Sequence, residues 1–132
     1  MNAPSVDIKD VLETEEIGTF GTDLFISAEP TSPDNCVTLY DYNQITAPMV
    51  NPSNHAVDTC YVQIRVRNLH FETAWAKCAT ILDTVVQQAS KFTTDGVHYI
   101  DVLKINGPMF VKKDDANRSI VVANVQIFRQ QQ

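Results

Sequence analysis

Between residues 60 and 67 the chain alternates without a break: Cys60, Val62, Ile64 and Val66 are apolar, while Tyr61, Gln63, Arg65 and Arg67 are polar or amphipathic. A period of two belongs to a strand whose successive side chains leave opposite faces, so this segment has one face that another layer must cover. The residues that follow supply the layer. Phe71, Ala74, Trp75, Cys78, Ile81, Leu82 and Val85 recur at the spacing of one helical stripe, with Glu72, Lys77, Asp83 and Gln87 off it. The spacing predicts a helix over 71–89 lying on a sheet, with Phe71 and Trp75 in the core. On that placement Trp75→Ala costs ~3–5 kcal/mol, the range for emptying a buried aromatic site.

The remaining elements fall around this pair. Ile8, Val11, Leu12 and Glu15 recur at helical spacing, and Asp7 and Asp10 lie near the end where the helix dipole favours negative charge, which predicts a helix over 5–16. Gly18 and Gly21 break it. Leu24, Ile26 and Ala28 then alternate up to Pro30, and after turn residues at 31–35 Val37 and Leu39 alternate with Thr38 and Tyr40, so two strands that pair with each other are expected. Residues 43–57 contain Pro48, Pro52, Asn43, Asn51 and Asn54 with no sustained period, and read as a long loop of the kind that is functional or disordered. Beyond the second helix, Asp95 and Gly96 turn the chain into a strand over 97–105. Asn106-Gly107 reads as a tight hairpin turn leading to strands over 109–112 and 119–129, with Lys112-Lys113-Asp114-Asp115 at an exposed tip. The order is helix, three strands, helix, three strands. That is an α+β fold, a mainly antiparallel sheet with helices packed on it, and 132 residues suit one domain over 1–132.

The formal net charge of −6 argues against a direct nucleic-acid binder, which needs clustered Lys and Arg. The charge is unevenly placed: the first 64 residues hold ten of the sixteen acids with Lys9 as the only base and carry −9, and the rest carry +3. If the fold keeps the two groups apart, one copy can present an acidic surface to a basic surface of the next; if the halves interleave, the difference averages out. Cys36, Cys60 and Cys78 form no close pair and read as reduced core residues. His55, His70 and His98 share no metal-ligand spacing, and the chain has neither a Gly-rich phosphate loop nor a Gly-x-Ser-x-Gly elbow, so no cofactor, metal or catalytic residue is expected and the chain does not read as an enzyme. No apolar run spans a membrane and the start lacks the pattern of a secretory signal, which predicts a soluble protein made in a cytoplasm. Arg65 and Arg67, on the polar face of their strand, are candidates for a contact between subunits or for plain solvation.

Several stretches read together as more than pattern. The runs Asp23-Leu24-Phe25-Ile26-Ser27-Ala28-Glu29-Pro30, then Ser32-Pro33-Asp34-Asn35-Cys36-Val37-Thr38-Leu39-Tyr40-Asp41, and Val62-Gln63-Ile64-Arg65-Val66-Arg67 leading into Phe71-Glu72-Thr73-Ala74-Trp75-Ala76-Lys77, resemble the small minor capsid proteins of tailed bacteriophages, relatives of the phage tail terminators. The resemblance covers about residues 5–90 and departs from the family after Asp41, where Tyr42-Asn43-Gln44 stands in place of a glycine-rich turn.

The resemblance implies a structural protein of the virion. It would assemble as a ring, a hexamer by family analogy, at the head-proximal end of the tail. There it would stop growth of the tail tube and join the tail to the head, with the tail tube protein and a head–tail connector as partners. DNA would pass through the lumen without specific binding, and no membrane is involved. A cyclic ring needs two different, complementary patches on each subunit, which the uneven charge can supply. Tyr42 and Met49, at the start of and within the long loop, are the candidate apolar anchors for a partner, beside Arg65 and Arg67. Two other readings stay open: a head–tail adaptor or tail-tube subunit of the same particle, and a small host α+β enzyme or ligand-binding domain.

Overall fold

The computed structural model describes residues 2–46, 57–88, 93–94 and 97–131. The elements in chain order are α1 (Pro4–Thr14), β1 (Leu24–Ile26), β2 (Cys36–Thr46), β3 (Val57–Asn68), α2 (Phe71–Gln87), β4 (Thr93–Thr94), β5 (Val97–Lys113) and β6 (Ser119–Gln131). The strands form one six-stranded sheet in the order β1-β2-β3-β6-β5-β4. β1 runs parallel to β2 and every other neighbouring pair is antiparallel. The expected α+β architecture and element order are therefore present; β1 and β2 are neighbours as anticipated, but they run parallel and are not joined as an antiparallel pair through the turn residues at 31–35.

The alternation of β3 places Cys60, Val62, Ile64 and Val66 on the face that meets the helices. Val37 and Leu39 of β2 and Val121, Ala123, Val125 and Ile127 of β6 lie opposite them in register on that face. α1 closes one side of this core with Ile8 and Leu12, packing over β1, β2 and β3. α2 closes the other with Ala74, Cys78, Ile81, Leu82 and Val85, packing over β3, β6 and β5. The first half of the chain thus builds one side of the molecule and the second half the other, joined along the β3–β6 ladder.

α1 has Ala3 at its N-cap, which offers no side-chain acceptor. Asp41 of β2 takes that role, accepting hydrogen bonds from the Ser5 amide at 3.1 Å and from the Ser5 hydroxyl, with its charge at the positive end of the helix dipole. A second tie lies beneath the same helix. The Tyr99 hydroxyl donates to the Asp7 carboxylate, and Arg129 donates to the Asn2 carbonyl at 2.7 Å and the Tyr99 hydroxyl at 3.5 Å.

Three expectations are corrected. Residues 43–46 and Val57 belong to the β2–β3 hairpin, and not to a loop over 43–57: Gln44 pairs with Cys60 and Thr46 with Asp58. The irregularity between Asp41 and Asn43 shifts the alternation by one residue, which hid the strand from a test of strict period. Residues 47–56, with Met49 and His55, lie outside the described residues. Asn106-Gly107 makes no hairpin, because β5 runs through it to Lys113. Gly107 has φ +106° and its Cα stands so close to β6 that an added Cβ would lie 2.6 Å from the Ala123 Cα, so the glycine serves a bulge. The turn lies at 114–118, where Asp114 accepts from the amides of Ala116 and Arg118 and Asn117 adopts φ 63°. Finally, Phe71 and Trp75 are 43% and 41% exposed. The helical stripe is wider than the sheet beneath it, and these two rings lie at the first turn and on the flank of α2, beyond the buried positions.

Candidate functional site

The outer face of the sheet, away from the helices, is divided in two. Over one end, residues 27–35 fold back as a strap between β1 and β2, a consequence of their parallel pairing, which requires the chain to return before β2 can start. Three arginines hold the strap. Arg67, 3% exposed, donates to the carbonyls of Pro33 at 2.7 Å and Asp34 at 3.2 Å and stands 3.9 Å from Glu29. Arg65 pairs with Glu29 at 3.2 Å, and Arg118 donates to the Thr31 carbonyl at 2.7 Å while pairing with Asp114 and Asp34. Beneath the strap Thr38, Ile120 and Val122, outer-face residues by register, are buried. The two arginines singled out from the sequence thus bind a segment of their own chain.

The uncovered end of that face mixes Tyr61, Gln63, Asn124 and Gln126 with the exposed side chains of Ile45 and Leu103, and Asp101 stands on it in register with Phe128. Tyr42, half exposed on the bulge of β2, meets Tyr61 with ring centroids 5.7 Å apart. Gln126 donates to the Tyr61 hydroxyl at 3.1 Å and Asn124 to Asn106 at 2.7 Å. Tyr40, Tyr42, Gln63, Asn106 and Asn124 line a shallow depression of about 290 Å³.

The two flanks of the molecule differ. On the α2–β5 flank, Phe71 meets Trp75 at a tilt of 57° (centroids 5.9 Å) and Phe110 of β5 edge-on (5.4 Å, 90°), and all three rings are close to half exposed. An apolar hollow of about 350 Å³ opens between Phe71, Glu72 and Trp75. On the opposite flank, outside β1, residues 18–23 form a turn in which the Thr19 carbonyl accepts from Thr22, Asp23 and Leu24. The Asp23 carboxylate accepts from the Thr19 amide, and Gly21 at φ +85° donates to Leu24. That turn holds Phe20 outward, 51% exposed, with its amide on Glu13 and Lys9 5.2 Å from its ring centroid. Neither Phe20 nor Phe110 stood out in the sequence. The available signal for Phe20 was a large aromatic between two turn glycines, where the backbone leaves little room for burial.

All three cysteines are buried, and burial pushes every thiol up, that of Cys78 to about 12. Burial and the Asp7 carboxylate raise Tyr99 well above its ordinary range, and the hydrogen bonds of Tyr99 to Asp7 and of Arg129 to Tyr99 and the Asn2 carbonyl tie α1 to the sheet. Among the described residues no group of His, Cys, Asp and Glu could hold a metal ion, and no helix is long and apolar enough to cross a membrane.

Residues 11–131 match the family model for the bacteriophage tail terminator protein. The chain belongs to that family. This tail terminator family member is accordingly a structural component of the phage tail, and the resemblance read from residues 5–90 extends over both halves of the sheet. Its fold is shared with a chain in the virion of a native gene transfer agent particle. That chain is 12% identical, with a TM-score of 0.65, the match covering 97% of this chain and 95% of the other. No curated protein matches the sequence.

Proposed function

We propose that this protein closes into a ring, hexameric by family analogy, at the head-proximal end of the tail tube, where it stops tube growth and provides the surface that joins tail to head. The observation that carries the ring is the separation of two unlike flanks. Because β1, β2, β3 and α1 stand together on one side, the charge asymmetry of the sequence becomes an asymmetry of the molecule: cut at Asn68, where β3 ends, the two sides carry −7 and +1. A subunit with different flanks associates head to tail, and head-to-tail contacts generate a ring whenever the rotation closes. A net acidic subunit also suits a lumen through which DNA passes, since like charge does not retain phosphate.

The tail tube protein and the head–tail connector are the partners on the two ends of this ring. Tyr42, on the uncovered part of the outer sheet face, and Met49 are the proposed apolar contacts with them. Arg65, only partly buried and tied by one ion pair, can also reach a partner, whereas Arg67 would act there through the strap it holds. Solution mass by light scattering tests the ring: one discrete closed oligomer that loosens at high salt is expected, and a monomer or an open-ended polymer refutes it. Electron microscopy of lysates lacking the protein tests the role, with tails of unregulated length and unjoined heads expected.

A further inference from the structure

Buried residues on the two faces of the sheet belong to separate bodies. Cys60 and Cys78 sit in the core beneath the helices, whereas Cys36, Ile120 and Val122 are buried but stand outside that core. Register places these three on the outer face: Cys36 and Ile120 both pair with Arg67, and Val122 pairs with Arg65. What covers them is the strap over 27–35, which reaches across to the start of β6, where Arg118 holds the Thr31 carbonyl at 2.7 Å. The strap therefore seals a small apolar patch of its own.

Its fastening differs from that of the rest of the fold. The Ser27 amide bonds to the Leu39 carbonyl at 2.9 Å and the Val37 amide to the Asp23 carbonyl at 2.8 Å; over 28–34, among the described residues, no main-chain group bonds to another. Side chains do the holding: Arg65 and Arg67 on Glu29, Arg67 on the Pro33 and Asp34 carbonyls, Arg118 on Thr31 and Asp34, and Asn35 accepting from the Leu69 amide at 3.0 Å. Three features make the closed position easy to leave. Residues 31–35 are exposed, so their polar groups pass to water freely. The Thr38 hydroxyl beneath the strap has no hydrogen-bond partner among the described residues and gains water when uncovered. A hollow of about 150 Å³, lined in part by Asn35, Cys36 and Arg67, lies beside the end of the strap, so packing there is incomplete.

We infer that the strap opens as a unit on its polar fastenings while the sheet and helices stay folded, uncovering Cys36, Thr38, Ile120 and Val122. Opening extends the outer face from the depression at Tyr40, Gln63 and Asn124 towards Cys36 and Ile120, so the strap sets how much of that face a partner meets. The inference stands apart from the ring reading. Cys36 is a native reporter of the opening, and Cys60 and Cys78 in the core are its controls.

The test treats the whole protein with a thiol reagent over hours, at several urea concentrations below the unfolding transition, and reads each cysteine by mass spectrometry of its peptide. Cys36 is expected to react about tenfold or more ahead of Cys60 and Cys78. Its rate should scarcely change with urea, because opening uncovers little surface, while theirs rises as global unfolding does. Glu29→Gln, which removes the carboxylate shared by Arg65 and Arg67, should quicken Cys36 about fivefold, as for the loss of one ion pair, and salt raised towards about 1 M should act in the same direction. Val122→Cys in a Cys36→Ala background separates strap opening from fraying at the first residue of β2. Val122 lies on β6 in the middle of the sheet, so the Val122→Cys thiol should react at a rate close to that of Cys36. Three native cysteines that react together with one urea dependence overturn the inference. So does a Val122→Cys thiol that stays protected while Cys36 reacts, or a Cys36 rate that ignores both Glu29→Gln and salt.

Discussion

Replacing Arg67 by Ala removes the main fastening of the strap. Its guanidinium makes two hydrogen bonds to the Pro33 and Asp34 carbonyls, and bonds from a charged donor contribute about 1.5–3 kcal/mol each. Pro33 and Asp34 are themselves exposed, so water recovers about half of that when the donor is lost, leaving a net loss of roughly 2 kcal/mol. The stem lies beside Ile120 in register, and uncovering two methylenes' worth of apolar contact adds about 1–2 kcal/mol. The sum is about 3–4 kcal/mol, a large part of a small domain's stability. Arg67→Lys keeps the stem and a charge near Glu29 but cannot reach both carbonyls, so about 1–2 kcal/mol is expected, and Arg65→Ala, which loses one partly exposed ion pair, at most about 1 kcal/mol. Urea denaturation at fixed protein concentration reads the series, with the Arg67→Ala midpoint falling by roughly 2 M. An Arg67→Ala midpoint indistinguishable from wild type, or Arg67→Lys as damaging as Arg67→Ala, would refute the reasoning. A double reversal of Arg65 and Arg67 to Glu is expected to loosen the subunit itself.

Ile64→Ala at the fully buried centre of the sheet should cost ~2–5 kcal/mol while Trp75→Ala, half exposed, costs about 1 kcal/mol, a ranking that chemical denaturation checks directly. A thiol reagent should label none of the three cysteines in the native protein within minutes and all three after unfolding, because burial holds each as the unreactive thiol. The Asp114 carboxyl is held below its ordinary range, first by the Arg118 amide and then by the Arg118 side chain. With the folded value depressed, its contribution is complete above the unfolded value of about 3.9 and fades as pH falls through the folded one. The protection of the Arg118 amide against hydrogen exchange, taken relative to its intrinsic rate at each pH, should therefore fall below about pH 4, and Asp114→Asn should remove that pH dependence.

The core of this fold was legible where one period governed one element. Strict alternation at 60–67 and the stripe through Ala74, Cys78, Ile81, Leu82 and Val85 report burial directly. Where two influences overlapped, legibility failed. Asn106-Gly107 carries the residues of a tight turn, yet the same left-handed freedom serves a bulge against Ala123, and only the long β5–β6 ladder decides between them. Trp75 keeps the helical period and is exposed because the sheet beneath it ends, a limit set by strand order and invisible in local sequence. The strap shows the same gap. Arg67 occupies the polar side of its strand as the alternation requires, but what covers that side is a segment more than thirty residues earlier, brought there by a parallel pairing that no local pattern announces.

The middle of the sheet is completed by its latest strand. β6 lies between β3 and β5, and it leaves the ribosome after every other described element. Until residues 119–131 are available, a nascent or truncated chain has β3 with an open inner edge, β5 with no partner except the two-residue β4, and a half-covered apolar face. Such an intermediate exposes the strand edge and hydrophobic surface that drive chains to associate wrongly. Loss of even a few residues from β6 should therefore send the protein to the insoluble fraction, while the same number removed ahead of α1 should only loosen the ties at Asn2 and Ser5.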